Sequence, residues 1–206
     1  MYSYSLLIFI TVIFSAYGTI PFKWRDCSID KSTQAIQVTS ITAGPVPLVA
    51  PGPLRLKFSG KVLKPIPIFM IEFDMKRHGF LGTRIPVPCV GGVGSCVFDG
   101  CSFVDSLLNS TRTSAQSVAK QALQMIESVN ATLKCPIPVE DINVQSYTIN
   151  VPDLGPIAHV IGDGDYTVTV RTKVPGTGAL LGCLSLDVSL GKQCTGLFCG
   201  IGRKRK

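Results

Sequence analysis

The sequence predicts an all-β chain, an antiparallel sandwich or barrel, carrying one helical insert at about residues 113–134. Three observations predict it. Apolar residues recur at every second position through successive stretches, the period of a strand with one face turned to a core. Prolines come in x-P-x-P pairs at Pro45/Pro47, Pro51/Pro53, Pro65/Pro67, Pro86/Pro88 and Pro136/Pro138. A proline has no N–H to give to a ladder, so such pairs belong at strand starts and edges. Between Cys101 and Cys135 alone the apolar period becomes helical.

Residues 1–18 read as a secretion signal. Leu6 to Phe14 is apolar but too short to span a bilayer, and Ala16-Tyr17-Gly18 offers small residues to a signal peptidase. The domain proper is expected at 19–193, followed by a cysteine-containing basic tail at 194–206. Alternation then appears at Ile36/Val38, at Leu54, Leu56 and Phe58, and at Phe69, Ile71, Phe73 and Met75. After the helix it returns at Tyr147, Ile149 and Val151, at Tyr166, Val168 and Val170, and at Leu184, Leu186, Val188 and Leu190. In the insert, Thr113-Ser114-Ala115-Gln116 fits a capping box with Gln116 at its third helical position. Ala115, Val118, Ala119, Ala122, Met125, Ile126, Val129 and Leu133 share one stripe, which suits packing as a lid or flank. Glycosylation sequons at Asn109 and Asn130 bracket this helix.

The eight cysteines all follow the expected signal. They lack paired C-x-x-C units, and the two histidines, His78 and His159, stand apart from them, so no metal site is expected and disulfides are. Eight cysteines allow 105 pairings, and spacing leaves the connectivity open. The formal charge of +7 is concentrated in the tail Arg203-Lys204-Arg205-Lys206, a pattern suited to an anionic membrane surface. Nothing interleaves aromatics with the basic residues as a nucleic-acid surface would, so no nucleic-acid partner is expected. No catalytic constellation stands out either: Gly94-Ser95-Cys96 is not a nucleophile elbow, and no phosphate loop opens a helix. No cofactor is expected. Two loops break the rule that loops are polar. Phe80 and Leu81 sit at a glycine-flanked turn, and Ile157, Val160 and Ile161 occupy a second, between Gly155 and Gly162. Apolar loop tips call for a lipid surface, a protein or the core itself.

Several segments, taken together and in order, carry a resemblance. They are Phe22-Lys23-Trp24-Arg25-Asp26-Cys27, Arg84-Ile85-Pro86-Val87-Pro88-Cys89, Gly94-Ser95-Cys96-Val97-Phe98, Cys135-Pro136, Val151-Pro152-Asp153-Leu154, Gly164-Asp165-Tyr166 and Leu181-Gly182-Cys183-Leu184. Over about residues 22–190 the chain resembles the MD-2-related lipid-recognition family. The resemblance implies an antiparallel β-cup, an immunoglobulin-like sandwich with an internal lipid cavity, and three disulfides: Cys27–Cys183, Cys89–Cys96 and Cys101–Cys135. It implies membrane contact through Phe80, Leu81, Ile157, Val160 and Ile161. Leu56, Phe58, Phe69, Ile71, Phe73, Tyr166, Val168, Leu184 and Leu186 are the expected cavity lining. Cys194 and Cys199 lie past the matched region and are left to pair with each other or with another chain.

The reading that follows is a non-enzymatic lipid-binding and lipid-transfer protein, secreted or in the lysosomal lumen. It would extract or present a glycolipid or phospholipid, with a lysosomal glycosidase as the implied partner. A mean hydropathy of +0.35 suits a chain with apolar surface turned to a ligand. The competing readings are a secreted, disulfide-stapled receptor ligand using its apolar loops, and a weak esterase in which His159 would be the histidine to test.

Overall fold

Strand after strand forms where the apolar alternation runs, and the pairing register sorts the side chains onto two faces. The computed structural model describes residues 19–155 and 161–192. The expected signal, the tail with Cys194 and Cys199, and Ile157, His159 and Val160 lie outside them. In chain order the described elements are β1 (Lys23–Asp26), β2 (Ile36–Gly44), β3 (Leu48–Ala50), β4 (Gly52–Val62), β5 (Met70–His78), β6 (Arg84–Pro86) and β7 (Val97–Asp99). Two helices follow, α1 (Phe103–Leu108) and α2 (Thr113–Glu127), then β8 (Glu140–Val151), β9 (Gly164–Lys173) and β10 (Leu180–Lys192). The larger sheet runs β1-β10-β9-β5-β6, with β3 beside β10 and β7 beside β5, and the smaller runs β2-β4-β8. All these pairings are antiparallel except β3 with β10.

In the larger sheet Phe73, Val170 and Leu184 lie in one cross-strand row, and Met75, Val168, Leu186 and Trp24 in the next. Those rows face inward. The opposite parity puts Glu72, Arg171 and Cys183 in a row on the outer face, as the alternation requires. There Arg171 lies 3.0 Å from Glu72 and 3.8 Å from Asp74, and Lys173 also bonds Glu72. The Lys173 hydrogen bond, with the Arg171 charge behind it, holds the Glu72 carboxyl below its ordinary value.

One end of the sandwich is closed. Pro65-Ile66-Pro67 and Pro136-Ile137-Pro138 meet there, Ile66 and Ile137 exchanging two backbone hydrogen bonds of 2.9 Å. Prolines on both sides of each isoleucine supply no further donors, so the bridge cannot lengthen into a ladder. Ile66 and Ile137 are buried with Ala35, Val62 and Phe69, against which Cys101 and Cys135 pack. Disulfides Cys101–Cys135 and Cys27–Cys183 lie at this end, and Cys89–Cys96 closes a short loop elsewhere. Gly94 in that short loop is required as glycine: its φ is +101°, and a Cβ would collide with the Pro88 carbonyl.

The two long sides of the sandwich are built differently. Along the β10 side, β3 leaves the smaller sheet after β2, pairs with β10 at Leu190–Lys192, and returns through Pro51 to β4. Along the other side the helices fill in. Gln121 of α2 donates to the Asn150 carbonyl at 3.0 Å and accepts from the Asn150 N–H at 2.7 Å. One side chain thus satisfies both backbone groups of a residue on the otherwise free edge of β8.

The helical region corrects the sequence reading in three ways. There are two helices, because Phe103, Val104, Leu107 and Leu108 make a short amphipathic turn ahead of the expected insert. The longer helix ends at Glu127, well before residue 134. Ala131 N–H bonds the Ile126 carbonyl and Asn130 N–H bonds the Glu127 carbonyl, with Asn130 at φ 55°, a Schellman ending. The capping box does not form. Arg112 holds the cap position without a side-chain bond, and Gln116 reaches back to the Ser110 carbonyl at 2.7 Å instead. The Thr113 hydroxyl, one residue too far along, is already inside the helix. Asn109 and Asn130 are both exposed.

Candidate functional site

Following each strand away from the closed end leads to a rim that gathers the unusual loops. β5 ends at His78, and Gly79 to Thr83 turn back over a single 3₁₀ turn. Thr83 fixes that turn by donating from Oγ1 to the Phe80 carbonyl at 2.9 Å, while Gly79 N–H bonds the Thr83 carbonyl at 2.9 Å. The two side chains between them are left outside: Phe80 is 79% exposed and Leu81 87%. Leu81 takes a φ of +54° to get there, a conformation costly for a branched side chain. Arg77 and Arg84 flank this tip, and Ile85, 53% exposed, extends its apolar surface.

His78 sits at the base of the tip, its Nε2 2.8 Å from the Thr167 hydroxyl, which donates to Asp187 at 2.6 Å. Arg84 reaches the same Thr167 oxygen and the same His78 nitrogen. Burial first, and the Arg84 charge second, hold the His78 imidazole below its ordinary value, against Asp187 and Asp165. Of the second apolar loop, Ile161 is described. It packs against the buried cluster of Met75, Val87, Tyr166 and Val188, and its carbonyl accepts from the Tyr166 hydroxyl.

Between the rim and the closed end the interior is thinly packed. Leu56, Phe58, Phe73 and Leu184 point inward between the sheets yet are only half-buried, as are Ile71, which packs against the closed-end cluster, and Val168 and Leu186, which pack against the cluster at the rim. Phe69 and Tyr166, expected beside them, are instead fully packed in the two separate buried clusters. Phe73 meets Phe98 edge-on at 5.9 Å between ring centres, and Phe103 of α1 stands 4.9 Å from Phe98. This aromatic trio sits where the helices join the larger sheet. Beside it opens a cavity of about 250 Å³, lined among others by Val93, Phe98, Leu107, Ala115, Val118 and Ile161. A wider concavity, about 570 Å³, lies elsewhere, beside Arg55 and Lys57 on the outer face of the smaller sheet.

Sequence reasoning missed Val93, Leu107, Leu154 and Arg112 as rim residues. Only Leu107 left a signal, in the spacing of Phe103, Val104, Leu107 and Leu108. Among the described residues, no cluster of histidine, cysteine and acidic side chains could hold a metal ion, and no helix could cross a membrane.

The ML-domain profile matches residues 21–190, nearly the whole described structure. The chain belongs to the ML-domain family. Among its relatives, the ganglioside GM2 activator of Mus musculus is 23% identical over 171 residues, covering 82% of this chain and 81% of that protein. The Macaca fascicularis ganglioside GM2 activator is 24% identical over 172 residues, covering 82% and 83%. A Niemann-Pick type C2 protein from Japanese carpenter ant overlaps 82% of this chain and 99% of its own, at 10% identity and a TM-score of 0.41. The fold of this ML-domain chain rests on its own strand pairing, not on that overlap.

Proposed function

We propose that this ML-domain protein binds lipid between its sheets and transfers it between membranes, or presents it to a partner, without catalysing a reaction. The observation that carries the proposal is the band of half-buried, inward-facing apolar side chains between two separate packed clusters. Facing sheets that met directly would bury such residues, and an unfilled gap forgoes their dispersion contacts. Acyl chains fill it at about 0.8 kcal/mol per buried CH₂, so chain fit sets most of the affinity. Leu56, Phe58, Phe73 and Leu184 are the residues proposed to meet the lipid there.

The exposed Phe80 and Leu81, set between Arg77 and Arg84, suit insertion into an anionic membrane, and the C-terminal basic run in the sequence adds to that preference. Residues 1–18, read as a cleaved signal, and the disulfides, read as made in an oxidising compartment, support a location outside the cell or in the lysosomal lumen. The likeness to ganglioside GM2 activators supports a glycolipid or phospholipid as ligand and a glycosidase as a partner to test.

Native mass spectrometry of the protein from a eukaryotic secretory host, followed by organic extraction, tests this reading. Bound lipid, released on denaturation and replaceable from liposomes, is the expected result. A bare glycosylated chain that takes up no fluorescent lipid would overturn it and leave the apolar tip as a protein-contact surface.

A further inference from the structure

The helical wall carries a feature that neither the fold nor the apolar interior requires. Two concavities at the open end share a boundary. The apolar one is the 250 Å³ cavity beside the aromatic trio. The other, about 400 Å³, presents the hydroxyl residues Thr111, Thr113 and Ser114 and the carboxylate of Asp153. Arg112, Ser114 and Leu154 line both. Arg112 is the one cation among the described lining residues, and Asp153 the one acid.

A guanidinium has five N–H donors. Among the described residues that of Arg112 meets a single acceptor, the Gly91 carbonyl in the Cys89–Cys96 loop. Asp153 is partly engaged, accepting from the Gly155 N–H at 2.9 Å. An apolar bore opening beside a cation, with hydroxyls and one acid beyond, matches the layout of a phospholipid: acyl chain, phosphate, then a polar group that ends in an ammonium. The acid disfavours a doubly charged phosphomonoester and favours a singly charged phosphodiester with a cationic end.

We propose that Arg112 binds the phosphate of a zwitterionic phospholipid whose acyl chain enters the cavity beside Phe98 and Val118. This rests on the lipid-binding reading and sharpens it to a headgroup class. The guanidinium fork binds a phosphate through paired, charge-assisted bonds, whereas a neutral glycerolipid offers only hydroxyls there.

The test compares two single-chain lipids of equal length, oleoyl lysophosphatidylethanolamine and monooleoylglycerol, by displacement of a fluorescent fatty acid from the full-length protein. The expected wild-type result is about tenfold or greater preference for the phosphate-bearing lipid, the size of one charge-assisted bond. Arg112→Gln should bring the two within about twofold by weakening only the first. Glycerophosphoethanolamine, the headgroup without its chain, should fail to compete. Val118→Trp, which fills the cavity, should weaken both lipids by similar factors. Equal wild-type binding of the two lipids would overturn the assignment, as would a preference that survives Arg112→Gln, full competition by the headgroup alone, or no effect of Val118→Trp. If the fluorescent fatty acid itself does not bind, the lipid-binding reading fails; if it binds and neither lipid displaces it, the headgroup assignment alone falls, and the two failures are thereby distinguished.

Discussion

The two ends of this sandwich start from similar residues and reach opposite outcomes. At the closed end Ile66 and Ile137 are 2% and 6% exposed, bracketed by prolines and tied by two disulfides. At the open end Phe80 and Leu81, equally apolar, are left in solvent at the tip of a fixed turn. Burial of a large apolar side chain stabilises by about 1.5–3 kcal/mol, so the exposed pair forgoes an amount that the closed end gains. The difference teaches that hydrophobicity alone does not decide burial here. The turn geometry set by Gly79 and Thr83 does, and it holds the apolar tip outward.

If the closed end carries the stability, breaking it must cost most. Replacing both Cys27 and Cys183 by serine releases a link across 156 residues and should destabilise by about 4–5 kcal/mol, measured as a lowered chemical-denaturation midpoint. A midpoint within error of wild type would mean that the closed end is held by packing alone. Ile66→Ala should cost about 3 kcal/mol, the loss expected where a buried aliphatic leaves a void, and thermal unfolding reads it. At the open end the effects on stability shrink. The folded His78 binds protons more weakly than the unfolded chain, so stability is full above the unfolded pKa near 6.5 and declines as pH falls through that value toward the folded one. His78→Gln should flatten that part of the stability–pH curve, and an unchanged slope would locate the pH response elsewhere. Phe80→Ser with Leu81→Ser should leave the unfolding midpoint within about 0.5 kcal/mol of wild type, as surface changes do, yet abolish co-sedimentation with anionic liposomes. Retained co-sedimentation would separate the tip from membrane contact.

Much of this fold was legible because period-two alternation is a local signal. Glu72, Asp74 and Arg171 could be put on the outer face, and Cys183 opposite Leu184, by parity alone. Phe69 and Tyr166 show where parity stops: both face inward as expected, but whether an inward residue meets packing or space depends on which layer it occupies. The helix ending at Glu127 was hidden because Val129 and Leu133 continue the apolar stripe, while Asn130 quietly takes the left-handed turn that stops it. Arg112 was illegible for a different reason. Its partners, Gly91 and the two concavities, come from chain segments that only the tertiary fold assembles.

The pairing of β3 with β10 has one more consequence. Because β3 is covalently joined to the smaller sheet on both sides while hydrogen-bonded to the larger, it works as a spine along one margin of the mouth. Spreading the sheets apart there would tear its hydrogen bonds from β10. The opposite margin is bound by side-chain bonds such as Gln121 to Asn150, which can part without breaking a ladder. The molecule is therefore bound like a book, stiff along the β3–β10 margin and freer to loosen along the one that α1 and α2 line.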